Sequence, residues 1–187
     1  MKTLVFCLEE PSAQEMLKGL LPRILPPEIT TRYIVFQGKQ DMEKQLVRRL
    51  RHWRAPDTLF VVMRDQDAAD CKAVKEKLVA LCREAGKGNA LVRVACRELE
   101  SFYLGDLRAV EKGLAMSGLA ARQNSRKFRE PDRLANPAQE LNRLTGNGYQ
   151  KIAGSRTIAP HLRLEGNRSH SFSVLVKGIK KIVEPEK

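Results

Sequence analysis

Four short apolar runs, each followed by a stretch of helical periodicity, fill the first hundred residues of this 187-residue chain and constrain its fold more than any other feature. Thr3–Leu8 is bounded by charge, and an uninterrupted apolar run of that length fits a strand covered on both faces. Ser12-Ala13-Gln14-Glu15 matches a capping box, and Met16, Leu17, Leu20 and Leu21 form the apolar face of a first helix that stops at Pro22 and Pro26-Pro27. Arg32–Phe36 reads as a second strand, and Asp41 opens a second helix with Met42, Leu46, Leu50 and Trp53 at helical spacing. Thr58–Met63 is the clearest strand and runs straight into Arg64-Asp65-Gln66-Asp67. A third helix is expected from about Ala69 to Ala85, ending at Gly86. Ala90–Cys96 is the fourth strand, and Arg97–Leu104 closes the series. This alternation predicts an α/β fold: a mostly parallel sheet of about four strands, right-handed crossovers, and helices on its faces.

Beyond Gly113 the pattern changes. Ser117-Gly118, Gln123-Asn124-Ser125 and Pro131 mark loops, Pro137–Leu144 reads as a short helix, and from Ser169 onward Phe172, Leu175, Val176, Ile179, Ile182 and Val183 share one helical face. The expected organisation is an α/β core over residues 1–112 and a basic, mainly helical extension over 113–187 packed on the same domain. The net charge of +12 follows that division: residues 121–187 carry 14 Lys and Arg against 6 Asp and Glu. A basic surface of this kind captures polyanions, nucleic acid above all. Cys7, Cys71, Cys82 and Cys96 include no Cys-x-x-Cys pair, which speaks against a zinc ribbon, and they are expected to be buried thiols of a reducing cytoplasm. No run approaches a membrane span, no signal peptide is visible, and neither Gly-x-Gly-x-x-Gly nor a Walker phosphate loop is present. His52 and His161 lack metal-ligand spacing and read as structural or surface residues.

The acids collect where such a sheet binds ligands, at the carboxyl ends of its strands. Glu9 and Glu10 follow the first strand, Asp65 and Asp67 the third, and Glu98 and Glu100 come just after the fourth. In a continuing strand positions 65 and 67 face the same way, and Glu9 or Glu10 joins them if strands one and three are neighbours. Clustered carboxylates raise one another's pKa, and a bound cation relieves that repulsion. All-oxygen donors select Mg²⁺, with Mn²⁺ as a substitute, an ion suited to orienting a phosphodiester and activating water. Structural roles compete: Asp67 as a helix cap, Glu10 facing solvent, and Glu98 or Glu100 pairing with Arg97.

Leu8-Glu9-Glu10-Pro11-Ser12 together with Asp65-Gln66-Asp67 resembles the Toprim fold of topoisomerases, primases and overcoming-lysogenization-defect nucleases. Cys96 through Asp106, and Asn167-Arg168-Ser169-His170-Ser171-Phe172, look more closely like a bacterial family of Toprim-like proteins often encoded beside ABC-type AAA ATPases in phage-defence settings. The resemblance implies a metal-dependent nuclease acting on nucleic acid, DNA in preference to RNA, with an ATPase partner. It implies that Glu9, Asp65 and Asp67 are catalytic and bind Mg²⁺, with Glu98 or Glu100 as a further metal ligand. Glu10 stands where glycine is common in the family, so Glu9 and Glu10 compete for the first position. Arg64, Arg97, Arg168, Ser169 and His170 are expected on the substrate side, the last three at a helix start whose N–H groups can hold phosphate.

Two other readings remain. A non-catalytic adaptor would keep the fold and use its basic third to bind nucleic acid or a partner protein. A receiver-like signalling domain also carries acids after strands one and three, but it wants Ser or Thr after strand four and Lys after a fifth strand. Here strand four ends in Ala95-Cys96-Arg97 and no fifth strand is visible.

Overall fold

Parallel strands β1 (Thr3–Leu8), β2 (Thr30–Val35), β3 (Thr58–Asp65) and β4 (Leu91–Ala95) form one sheet in the order β2-β1-β3-β4. The computed structural model describes residues 2–184, so Met1 and the last three residues of the basic extension lie outside it. Leu8 lies opposite both Val35 and Met63, and Asp65 opposite Ala95, which brings the carboxyl ends of the strands to one edge. The expected α/β class is what the chain adopts, and β1 and β3 are neighbours. Among the described residues there is no fifth strand of the kind a receiver domain would use.

Strand residues alternate between two cores, as the pleat requires. Leu4, Phe6, Leu8, Val61 and Met63 pack against α1 (Pro11–Leu20) through Met16, Leu17 and Leu20. Val5, Cys7, Phe60 and Val62 face α2 (Lys39–Arg51) and α3 (Cys71–Glu84) through Met42, Leu46, Val74 and Leu78. The later helices α4 (Glu100–Leu104), α5 (Leu107–Gly113), α6 (Pro137–Leu144), α7 (Lys151–Ile158) and α8 (His170–Val183) all join the α1 side. There α7 lies against α1, and α8 runs along β4. The sheet is therefore thinly covered on one face and deeply covered on the other.

Local chemistry sets the helix starts, and three expectations are corrected. The capping box at Ser12 is not formed: Pro11, whose ring presets φ and has no N–H to satisfy, takes the first helical position. Glu15 instead pairs with Lys18 at 2.8 Å and Arg156 at 2.6 Å. Asp67 does not cap α3, because Asp70 does, accepting from the Ala73 N–H at 2.9 Å. Of the four cysteines only Cys7 and Cys82 are buried, while Cys71 and Cys96 are half-buried. Ser169 caps α8 as its position predicts, accepting from the Phe172 N–H at 3.1 Å. Among the described residues no helix is long and apolar enough to cross a membrane.

Candidate functional site

The chain's connections diverge between β1 and β3, one leading out to β2 and the other to β4, and in open parallel sheets this is where ligands bind. Glu9 leaves β1 buried, only 8% exposed. Its Oε2 accepts from the Asp65 N–H at 3.0 Å and so ties the two strand ends together. The Arg64 Nε lies 3.9 Å from the same oxygen, and its Nη1 lies 2.7 Å from Glu43 of α2. Arg64 is itself buried. Arg64, expected on the substrate side, is thus placed inside the fold beside Glu9 and Glu43.

Asp65 ends β3, and Glu100 opens α4 almost wholly buried at 1% exposure. Glu100 Oε1 accepts from the Tyr149 hydroxyl at 2.9 Å, while its Oε2 is buried without a partner. The Tyr149 ring reaches this place because Gly154 of α7 has no side chain; a Cβ there would stand 2.5 Å from the ring. Burial first, then the charges of Glu100 and Glu9, hold the Asp65 carboxyl well above the usual carboxylate range. Glu100 is raised by burial, against which the Lys151 charge works. Glu9 is raised by burial, against the Asp65 amide and Arg64. Two carboxyls, at the end of β3 and the start of α4, and a third from the loop after β1 are thus all desolvated around the strand ends.

A cation stands beside these acids. The Lys151 Nζ, at the start of α7, lies 3.4 Å from Glu10 Oε2 and is about half exposed. Partial burial works against its charge, but Glu100, Glu10 and Asp65 outweigh burial and hold the ammonium above its usual value. Neither Lys151 nor Tyr149 carried any signal in the sequence: both belong to a weakly amphipathic stretch far along the chain from the acids, and only the packing of α7 on α1 brings them in.

The other expected residues are placed differently. β3 stops at Asp65, and Asp67 adopts φ 56°, so the alternation that would aim 65 and 67 the same way is broken. The Asp67 N–H bonds to the Arg97 carbonyl at 2.8 Å, and its carboxylate meets Lys39 at 3.0 Å, at the rim of the site. Arg97, also at positive φ, places its guanidinium 3.5 Å from the Asp67 carbonyl. Glu98 turns away and accepts from the Ala138 N–H at 2.8 Å, at the start of α6, so the acid brought to the site after β4 is Glu100. At the start of α8, Asp132 receives the Ser169 hydroxyl at 2.6 Å and the Ser171 N–H at 2.7 Å. The Ser169 hydroxyl and Ser171 N–H at the start of α8 are therefore already met by a carboxylate. Ser169 is buried, while Arg168 and His170 are exposed.

Glu9, Glu10, Arg64 and Asp65 line a crevice of about 10 Å³, room for one water-sized body. As placed, no three His, Cys, Asp or Glu side chains among the described residues meet at metal-ligand distances. The donor chemistry nevertheless suits a hard divalent cation: it is all oxygen and includes the partnerless Glu100 Oε2.

Comparison with known proteins gives two matches. The profile of the family described as "Domain of unknown function (DUF4276)" matches residues 8–180. Among solved structures, the C-terminal region of the Burkholderia pseudomallei OLD protein superposes with a TM-score of 0.57, covering 97% of this chain and 98% of that one at 14% identity. At that identity the likeness is one of fold, a parallel α/β arrangement. No curated protein matches.

Proposed function

This chain belongs to the DUF4276 family, and on that footing we propose that it is a divalent-metal-dependent nuclease subunit that hydrolyses phosphodiester bonds of nucleic acid, DNA in preference to RNA. The observation that carries the reading is the placement of three carboxyls around the switch point of a parallel sheet: Glu9, which accepts the Asp65 N–H, Asp65 itself, and the almost wholly buried Glu100 at the start of α4. Carboxyls held above their normal range by burial and by one another are a recurrent feature of functional sites. A divalent cation held by Glu9, Asp65 and Glu100, Mg²⁺ or Mn²⁺ in its place, would supply charge neutralisation and a Lewis-acid contact to a phosphoryl oxygen.

The protein's own groups divide the remaining work. The Asp65 amide and Arg64 fix Glu9, and the Tyr149 hydroxyl fixes one oxygen of Glu100 while leaving the other free. Lys151, half exposed at the mouth, presents an ammonium to an incoming phosphate group. Lys39 and Asp67 form the outer rim. The basic excess of the C-terminal third draws a polyanion to this surface, and an ABC-type AAA ATPase would act as the partner that loads or releases it.

The second reading is a non-catalytic adaptor. One observation favours it: Lys151 already sets a positive charge among Glu10, Glu100 and Asp65, which lessens the need for a metal. Cleavage of supercoiled plasmid DNA and of RNA in Mg²⁺ or Mn²⁺, with and without ATP and any ATPase encoded beside the gene, separates the two. Asp65→Asn and Glu100→Gln, each confirmed folded by circular dichroism, are expected to lose at least about 100-fold in rate. Folded Asp65→Asn protein that cuts like the wild type would refute the nuclease, as would a wild type inactive under every one of these conditions.

A further inference from the structure

Away from the acids, Arg108, Arg163 and Arg168 line a single cleft of about 330 Å³ together with Gln123, Asn124 and Gly166. Its charge is unbalanced. The carboxylate beneath it, Asp106, is fully buried, and its Oδ2 accepts from the Arg163 N–H at 2.8 Å and Nε at 3.2 Å. The Arg168 guanidinium donates to the neutral amide oxygen of Asn124, and among the described residues Arg108 and Arg168 form no ion pair. Glu165, although adjacent in the chain, does not line the cleft.

The cleft is also built rather than incidental. Gln123 is buried and stitches its floor, accepting from the Leu107 N–H at 2.7 Å and donating to the Leu104 and Phe128 carbonyls at 3.0 and 3.1 Å. The segment bearing Arg163 and Arg168 is pinned to the end of α4 by Arg168 N–H to the Gly105 carbonyl and by the Asn167 amide to the Phe102 carbonyl, both at 3.0 Å. Gly105 permits this approach, since a Cβ there would collide with Asn167. Arginine forks on a rigid frame suit phosphate oxygens, and no aromatic side chain lines the cleft to stack a base. That chemistry suits a backbone phosphate better than a nucleotide cofactor.

We propose that the Arg108–Arg163–Arg168 cleft binds a backbone phosphate of nucleic acid. This rests on the nucleic-acid reading above.

The test uses the full chain with Arg108→Ala/Arg168→Ala, sparing Arg163 because it pairs with Asp106. A control double variant, Lys112→Ala/Lys177→Ala, removes the same charge elsewhere on the surface. Anisotropy of a labelled single-stranded oligonucleotide is followed between about 50 and 200 mM salt. The cleft variant is expected to bind about tenfold or more weakly, with the log–log salt slope shallower by about 0.7 for each phosphate that the protein no longer neutralises. The control should keep the wild-type slope. Wild-type affinity and slope in the cleft variant, or an equal loss in the control, overturns the proposal. So does saturation of the cleft by micromolar inorganic phosphate with oligonucleotide binding unchanged, which assigns it to a free anion. If the wild type binds and cuts, Asp65→Asn does not cut, and the cleft variant matches the wild type, the cleft assignment alone fails. If the wild type binds no nucleic acid, the reading beneath it fails as well.

Discussion

Glu100 is the residue on which the site turns, and its environment explains why. A carboxyl that is 1% exposed, with one oxygen bonded to Tyr149 and the other unpaired, sits where a structural acid would be costly unless something meets it. Burial pushes the Tyr149 phenol far above its ordinary value, so it remains a protonated donor at any working pH. Tyr149→Phe keeps the ring and removes only that donor. It is expected to destabilise the fold by about 1–3 kcal/mol, the cost of leaving a buried acceptor unsatisfied, measured by urea denaturation. A change within error would mean that Glu100 finds another donor or is protonated without strain. Asp65 and Glu9 could be read from their positions at strand ends. Asp67 could not be placed, because its positive φ and its bond to the Arg97 carbonyl arise from how two loops meet.

At the scale of elements, the site depends on α7, which carries Lys151 and supports Tyr149. That helix is held against α5 by a close approach at Gly113: a Cβ there would stand 2.6 Å from the Ile158 Cα and 2.7 Å from the Thr157 carbonyl oxygen. Both are backbone atoms and cannot swing aside. Gly113→Ala gains up to about 1 kcal/mol of helix propensity, yet the overpacking costs about 1–3 kcal/mol. Net destabilisation is expected in urea melts, and a stabilised variant would show that the two helices can part without loss. The strands and α1, α2, α3 and α8 were legible because apolar runs and helical periodicity report burial directly. Their starts were less so, because Pro11 opens α1 ahead of Ser12, and Asp70 rather than Asp67 caps α3. Helix α7 was missed: its few buried residues, Gly154, Ser155 and Ile158, leave almost no apolar stripe.

For the whole molecule, the acid cluster makes stability depend on pH. Glu9, Asp65 and Glu100 are all raised above their ordinary values, so each holds its proton more tightly in the folded than in the unfolded chain. Their contribution favours the fold below the unfolded carboxyl values of about 4 and is withdrawn as pH rises through the raised folded values. Asp65→Asn removes one of the opposed charges. Its Tm is expected to exceed that of the wild type at neutral pH, with the gain shrinking toward pH 4 in scanning calorimetry. A gain that does not vary with pH would mean that the three carboxyls do not share a field.

The sequence alone determined the class of fold, the four strands, the ends at which acids gather and the basic character of the last third. Each of these follows from local pattern, since periodicity and strand length are properties of neighbouring residues. Only the tertiary structure decided which acids meet. Whether Glu98 or Glu100 turns inward, whether Asp67 follows Asp65, and which lysine and tyrosine attend them depend on contacts between residues 49 to 141 positions apart. The same holds for the arginine cleft, whose three guanidiniums come from two segments more than fifty residues apart, joined through Asp106 and Gly105.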